Sequence, residues 1–347
     1  MNMIISEKFP RCIICKETGD LLYESLEDRL LGGIDGKFNL RRCLSCGLLW
    51  LDPQPKAGQI SELYANFYMA NEIIMDPLIY QRRLFASLRD ILRESIICGY
   101  YGYRHIHAKH LLCRFATLLA KNPILRSRAI YGLDEFFPFY KNNPNALIVD
   151  IGCGKGDYLE MMQHMGWKVL GIEPYSVIAG ITENKGIPIF KGTLSEARLP
   201  DSFADQVTMN HVIEHLHDPI SELKECLRIL KPAGRLVIRT PNTDSLGHRI
   251  FNKHWLALEV PRHLYLFSFN SLYKILKGLP SRNFYLKTLT SRSKICYDKS
   301  MIISKLGKID LKKVKPQWGR YWFALKESVS CYFDRKLGEE IEAVVIK

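Results

Sequence analysis

No stretch of the 347-residue chain comes near the roughly 18 unbroken apolar residues of a membrane-spanning helix, and the opening MNMIISEKFPRC has no basic segment leading into an apolar core. The first absence argues against a helical membrane span, and the second removes the usual mark of export. Together they predict a cytoplasmic protein. Internal repeats and low-complexity tracts are missing as well. Acids are scarce beside bases, 36 against 49, for a formal net charge of +13. That imbalance draws anionic partners (nucleic acid, lipid headgroups, phosphorylated substrates) and by itself selects none of them.

What the chain has is 47% hydrophobic residues, enough for the core of a two- or three-domain globular protein. Six of its ten cysteines are scattered, as suits a reducing compartment, and four form two CxxC pairs in RCIIC and RRCLSCGLLW. Cys12, Cys15, Cys43 and Cys46 can close two knuckles around one tetrahedral ion, about 27 residues apart. Four protein thiolates fill a zinc ion's coordination, so such an ion is structural; free thiols or a labile disulfide are the alternative. Residues 1–55 therefore read as a small zinc ribbon.

Residues 56–140 read as a helical connector or lid. Leu84, Leu88, Ile91 and Leu92 recur at helix spacing, as do Leu111, Leu112, Phe115, Leu118 and Leu119. Between Gln81 and Arg128 the only acids are Asp90 and Glu94, amid bases such as Arg82, Arg83, Arg89, Arg93 and Lys109. A solvated helix face packed on the next domain explains this pattern, and a surface for anionic lipid or phosphate, at the inner face of a membrane, is the competing reading.

Residues 141–347 read as an α/β domain. ALIVDI, KVLGIE, IPIF, QVTMN and RLVIRTP are short apolar strands, with helices starting at Asp157, Ser176 and Ile220 between them. That alternation predicts a doubly wound, Rossmann-like parallel sheet covered on both faces, with ligands at the strands' carboxyl ends. Further on, SFNSLYKILKGL predicts a helix, FYLKTLTS a strand and EEIEAVVIK a buried closing strand. A basic helical insertion around 293–338 contains YWFALKESVSCYF.

The first strand runs into IGCGKGD, where Gly152, Gly154 and Gly156 let the backbone turn tightly and approach a ligand. The spacing is GxGxG rather than the GxGxxG of dinucleotide sites, and Asp150 precedes it. The next strand ends GIEP, placing Glu173 about 20 residues downstream, where an acid grips ribose hydroxyls.

With these motifs the chain closely resembles the class I S-adenosylmethionine-dependent methyltransferases. VDIGCGKGDYL is similar to their first motif, GIEP to their ribose motif, FADQVTMNHVIEHLHDP to the fourth-strand motif and LKPAGRLVIRTPN to the fifth. The resemblance implies a seven-stranded sheet and S-adenosylmethionine as cofactor. It places Glu173, with Pro174 beside it, at the ribose. Gly152 and Gly154 go to the methionine end, in a loop that also includes Asp150, Cys153 and Gly156. Thr193 and Leu194 would flank the adenine, and Asn210 with His211 would line the pocket below the sulfonium. Many members carry an acid near Thr193 for the adenine amino group; this chain does not, and the Leu194 amide is the substitute. The ribbon ending CGLLWLDPQP and the later HWLALEVPRHLYLFS resemble a bacterial group associated with surface-glycan or small-molecule tailoring. The acceptor expected is a hydroxyl, or else a nitrogen or carbon, of a small molecule or glycan precursor.

NHVIEHLHDP admits three uses. It can wall the cofactor pocket; His211 or His263 can act as general base; or His211, Glu214, His215 and His263 can hold a divalent ion. The last resembles the metal motif of small-RNA 2′-O-methyltransferases, with His211 where those carry glutamate. A helical turn here would put His211, Glu214 and His215 on one face. Trp255, Arg262, His263 and Tyr265 read either as an acceptor lid for a sugar ring or anion, or as core. Two rival functions remain: a nucleic-acid methyltransferase gripping phosphates through its ribbon and basic helices, and a non-catalytic binding module.

Overall fold

The computed structural model describes residues 6–29, 34–56, 88–103, 118–122, 125, 129–130, 133–139, 143, 145–309 and 314–347. The N-terminal part holds strands β1 (Ser6–Glu7), β2 (Asp20–Leu26), β3 (Phe38–Arg42), β4 (Leu49–Leu51) and β5 (Gln54–Pro55), followed by helix α1 (Leu88–Gly99). From Leu147 strands and helices alternate: β6 (Leu147–Ile151), α2 (Asp157–His164), β7 (Lys168–Ile172), α3 (Ser176–Asn184), β8 (Ile189–Phe190), α4 (Leu194–Ala197), β9 (Ala204–Asn210), α5 (Pro219–Ile229) and β10 (Leu230–Pro241). The chain ends with α6 (Leu246–Phe251), β11 (Tyr265–Leu266), α7 (Phe269–Lys277), β12 (Asn283–Leu289), α8 (Ser293–Leu306), α9 (Arg320–Phe333) and β13 (Glu340–Ile346).

Seven strands form the main sheet, in the order β12-β13-β10-β9-β6-β7-β8. The α/β, Rossmann-like expectation is met. Strands β6 to β10 pair in parallel, as their near-continuous apolar runs require when helices cover both faces. The closing strand β13 runs antiparallel between β10 and β12, so the sheet is mixed rather than wholly parallel. The chain moves outward from β6 to β8 and returns on the other side of β6 as β9. That reversal opens a crevice at the strand ends, where ligands of open α/β sheets bind. Local chemistry sets the helices around it: Asp218 caps α5 by accepting from the Ser221 amide at 3.0 Å, with Pro219 in the first turn.

The four-cysteine N-terminal part is built into the same body. Strand β11 leaves the α/β part to complete a second sheet, β11-β4-β3-β2, with Tyr265 opposite Trp50 and Leu266 opposite Leu49. All three residues of β4 are buried, because one continuous core runs from Leu48, Trp50 and Cys43 through Leu266 and Phe267 to Val207 and Ile238. Trp50, 1% exposed, satisfies its indole N–H on the Phe9 carbonyl at 2.6 Å; burying a side chain of this size stabilises by about 3 kcal/mol.

Of the predicted connector, α1 is described: Ile96, Ile97, Tyr101 and Tyr103 pack on Leu159, Met162 and Trp167. Leu84, Leu111, Leu112, Phe115, Arg82, Arg83 and Lys109 lie outside the described residues.

Candidate functional site

β6 delivers Asp150 and Ile151 to the mouth of the crevice, and Gly152, Gly154 and Gly156 then turn the chain with φ of 64°, 55° and 75°. Residues with a Cβ pay about 1–2 kcal/mol there. Two of these glycines also face different surroundings. A Cβ on Gly152 would lie 2.6 Å from Val212 Cγ2, whereas one on Gly154 would meet nothing within 4 Å. The loop is therefore pressed against the segment after β9 at one point and open at the next.

Glu173 directly follows β7, beside that open point. Its Oε2 accepts the Gly154 amide and its Oε1 the Tyr175 amide, each at 3.0 Å. A carboxylate has about four acceptor positions, so two amides leave capacity for a pair of hydroxyls. Burial raises the Glu173 pKa, and the two amides oppose the rise. Asp150 is pushed up to about 7 by burial, against a 2.6 Å bond from the Thr208 hydroxyl, with Glu173 adding repulsion. Burial also pushes up the Cys153 thiol between these two acids. Pro174 is exposed at the strand tip.

On the adenine side, Thr193 is engaged locally. It caps α4 through a reciprocal box with Glu196, its own amide reaching Glu196 Oε2 at 2.7 Å. Leu194 is buried behind it. Glu196 is the acid nearest in sequence to the expected adenine position, and that capping box engages its carboxylate.

Asn210 is exposed at the end of β9, and His211 follows at φ 55°, which stops any helix from starting there. Only Ile213–His215 forms a 3-10 turn, so the one-face arrangement is met in part. His211 Nδ1 lies 3.2 Å from Glu214 Oε1, and its Nε2 lies 2.6 Å from Glu340 Oε1 and 2.9 Å from the Arg292 guanidinium. Burial disfavours a charged ring, but the two carboxylates outweigh it and the His211 pKa is raised. Burial likewise opposes ionisation of Glu214 and Glu340, yet His211 holds both at about 2. Thr240 completes the Glu214 shell with a hydroxyl at 2.9 Å.

His215 turns the other way. Its Nδ1 donates to the Arg262 carbonyl at 3.0 Å, and His263 Nδ1 donates to the Ala257 carbonyl at 2.8 Å. The two rings sit 4.7 Å apart. Burial and the nearby His263 lower the His215 pKa to about 4. Ligand atoms of Glu214, His215 and His263 lie within 4.8 Å of one another. His211 is not in that group, so the four-ligand arrangement loses one of its members to the Glu214–Glu340 bridge.

The segment after β10 is interior rather than a lid. Trp255, Arg262 and Tyr265 are each 1% exposed and His263 4%. Trp255 donates to Glu339 at 3.0 Å, and Arg262 forms a bidentate pair with Asp28 at 2.6 and 2.7 Å. The reading of an exposed aromatic beside an arginine is overturned by this packing. Glu340 and Arg292 were not legible as site residues: they lie 129 and 81 positions from His211, and no spacing rule spans such distances.

The four N-terminal cysteines do converge, with ligand sulfurs within 4.8 Å of one another. Their two knuckles repeat the same geometry. Lys16 and Gly47 each donate to the carbonyl of the first cysteine of their pair at 2.9 Å, with φ of 63° and 78°. A hydrogen bond with Cys46 draws the Cys12 thiol down to about 5, while Cys46 is pushed up.

Residues 124–279 match the family model of a methyltransferase domain. Among curated proteins, the chain is 32% identical over 97 residues to a "probable S-adenosylmethionine-dependent methyltransferase" of Mycolicibacterium smegmatis, covering 27% of this chain and 38% of that protein. It is 29% identical over 148 residues to a ubiquinone biosynthesis O-methyltransferase of Proteus mirabilis, covering 36% and 57%. The chain thus spans roughly half the length of these relatives, or less. A solved S-adenosylmethionine-dependent methyltransferase from Archaeoglobus fulgidus overlays with a TM-score of 0.45 and 23% identity, covering 64% of this chain and 94% of that one. Over residues 124–279, then, the chain is similar to the methyltransferase domain family.

Proposed function

We propose that this chain is an S-adenosylmethionine-dependent methyltransferase acting on a hydroxyl of a small molecule or glycan precursor, and that Cys12, Cys15, Cys43 and Cys46 hold a structural zinc ion. The observation that carries the donor is the Glu173 carboxylate, which keeps acceptor capacity beside the open Gly154 bend. The ubiquinone biosynthesis O-methyltransferases among the relatives support oxygen as the acceptor atom. Four converging sulfurs in two matching knuckles support zinc, since that geometry fills a tetrahedral ion's coordination.

The bound cofactor supplies a methyl already activated by its sulfonium. The protein's part is to align and to exclude water. Glu173 holds the ribose, the Gly152–Gly154 bend lets the amino-acid end approach the backbone, and Leu194 backs the adenine. Asn210 and His211 form the wall nearest the acceptor, and His211 is kept in place by Glu214 and Glu340.

Calorimetry with Glu173→Gln tests the reading. The variant keeps one oxygen acceptor and loses the charge, and hydrogen bonds to charged groups are worth about 1.5–3 kcal/mol. The expected loss of S-adenosylmethionine affinity is therefore about 10- to 100-fold, with a lowered thermal transition beside it, because the new NH2 replaces an oxygen that accepts a backbone amide. Unchanged affinity would overturn the proposal.

A further inference from the structure

Amphipathic helices normally turn their apolar stripe inward, and α9 is built the other way round. Phe323 faces in against Phe251 and Tyr297, but its companions on the covered side are polar. Arg320 pairs with Asp298 at 2.9 Å, and Glu327 is buried against the Ser293 hydroxyl. Outward go Tyr321, Trp322, Leu325, Val329, Tyr332 and Phe333, between 50% and 83% exposed. They recur every three or four residues, along one side of the helix. Trp318, 96% exposed, continues the row before the first turn. Single exposed apolar residues need no explanation; a continuous row marks a surface that binds something.

The charge around the row says what. Residues 293–338 contain eleven lysines and arginines and four acids, and two of those acids, Asp298 and Glu327, are buried. The Lys294 ammonium lies 4.5 Å over the Tyr321 ring, Lys326 is exposed beside Leu325, and Arg335 and Lys336 are exposed just past the helix end. Tryptophan and tyrosine favour a boundary that is apolar on one side and wet on the other, and lysine stems can lie along apolar matter while their charges reach headgroups. From this arrangement we infer that α9 lies flat on an anionic membrane surface, its aromatic row at the headgroup–acyl boundary and its basic rim against lipid phosphates. A second copy of the chain fits less well, because symmetric pairing of this face brings two like-charged rims together. Spanning is not involved, since no described helix is long and apolar enough to cross a membrane. The inference stands apart from the proposed reaction, although the two meet structurally: Arg292, at the start of α8, contacts His211, and Ser293 beside it contacts Glu327 of α9.

The full chain can be tested by flotation with vesicles of phosphatidylcholine alone and of phosphatidylcholine mixed with phosphatidylglycerol. Tryptophan emission adds a local readout, because Trp50, Trp167 and Trp255 are 1–5% exposed and only Trp318 and Trp322 face water. The expected result is flotation and a blue shift with the mixed vesicles, little of either with phosphatidylcholine alone, and weakening by salt. Trp322→Ala/Phe333→Ala and Lys294→Glu/Lys326→Glu should each reduce partitioning about tenfold or more while leaving the thermal transition in place. Three results would overturn the inference: no binding to mixed vesicles; a blue shift and doubled mass that grow with protein concentration in the absence of lipid; or retention of RNA that mixed vesicles fail to displace.

Discussion

His211 is held between two buried carboxylates, and the sign of its titration follows from that placement. In the unfolded chain the ring titrates near 6.5; in the fold its pKa is raised, once Glu214 and Glu340 have overcome the cost of burial. Its stabilising contribution is complete below 6.5 and disappears as pH rises through the raised value. His215 has the opposite sign: burial and His263 keep it neutral down to about 4, so its effect is a loss of stability as pH falls from 6.5 towards 4. Removing the ring with His211→Gln leaves buried Glu214 without its cation and Glu340 with Arg292 alone at 3.5 Å, at a cost of about 3–5 kcal/mol near pH 6. That gap should narrow above pH 6.5, by up to about 1.4 kcal/mol per pH unit, because the native ring loses its own advantage there. Urea denaturation of both proteins from pH 5 to 9 measures it, and parallel curves would refute the bridge. The sequence singled out His211, Glu214, His215 and His263 as a group. It could not show that a left-handed φ at His211 splits them, because that conformation is imposed by the Arg239 carbonyl accepting the His211 amide and by Glu340 across the sheet.

Among the elements, the alternating strands and helices of the α/β part were the most legible, since apolar runs of strand length separated by helical stretches admit few other folds. α9 was legible as a helix but not as an inverted one, because which side is covered depends on α8 and Asp298, not on its own pattern. β11 was illegible: two residues acquire strand geometry only by pairing with β4. The ribbon was read from cysteine spacing alone, and its knuckles lean on α7. Ser268 donates to the Cys46 carbonyl at 2.7 Å, and the Lys274 ammonium sits 3.8 Å from Cys15 Sγ. If zinc organises these strands, Cys43→Ser should take the metal content from one ion per chain to near none and expose β2–β4 to limited proteolysis. Elemental analysis of freshly purified protein decides it: wild type with no bound zinc, or a variant that keeps its ion, sinks the assignment.

At the scale of the molecule, the cysteine-bearing N-terminal part and the α/β part are joined by an ion pair and hydrogen bonds that cross between them. Asp28 in the ribbon and Arg262 after β10 form a doubly hydrogen-bonded pair with side chains 1% exposed. Around it, Tyr23 meets His248 at 3.1 Å, and His217 Nε2 donates to the Pro55 carbonyl at 2.8 Å. No sequence rule links positions 234 residues apart, which is why the sequence left Arg262 open between an acceptor lid and the core, where it is an internal strut. Breaking such a pair on one side is costlier than removing it, because the remaining charge stays buried. Asp28→Asn should therefore lower stability by about 3–5 kcal/mol, and Asp28→Leu with Arg262→Met should recover most of that loss. Since the core is continuous across the junction, the loss should move a single unfolding transition, seen alike by circular dichroism and by proteolysis of the ribbon. A transition that splits, with the ribbon released first and the α/β part unmoved, would show instead that the two fold separately and merely dock.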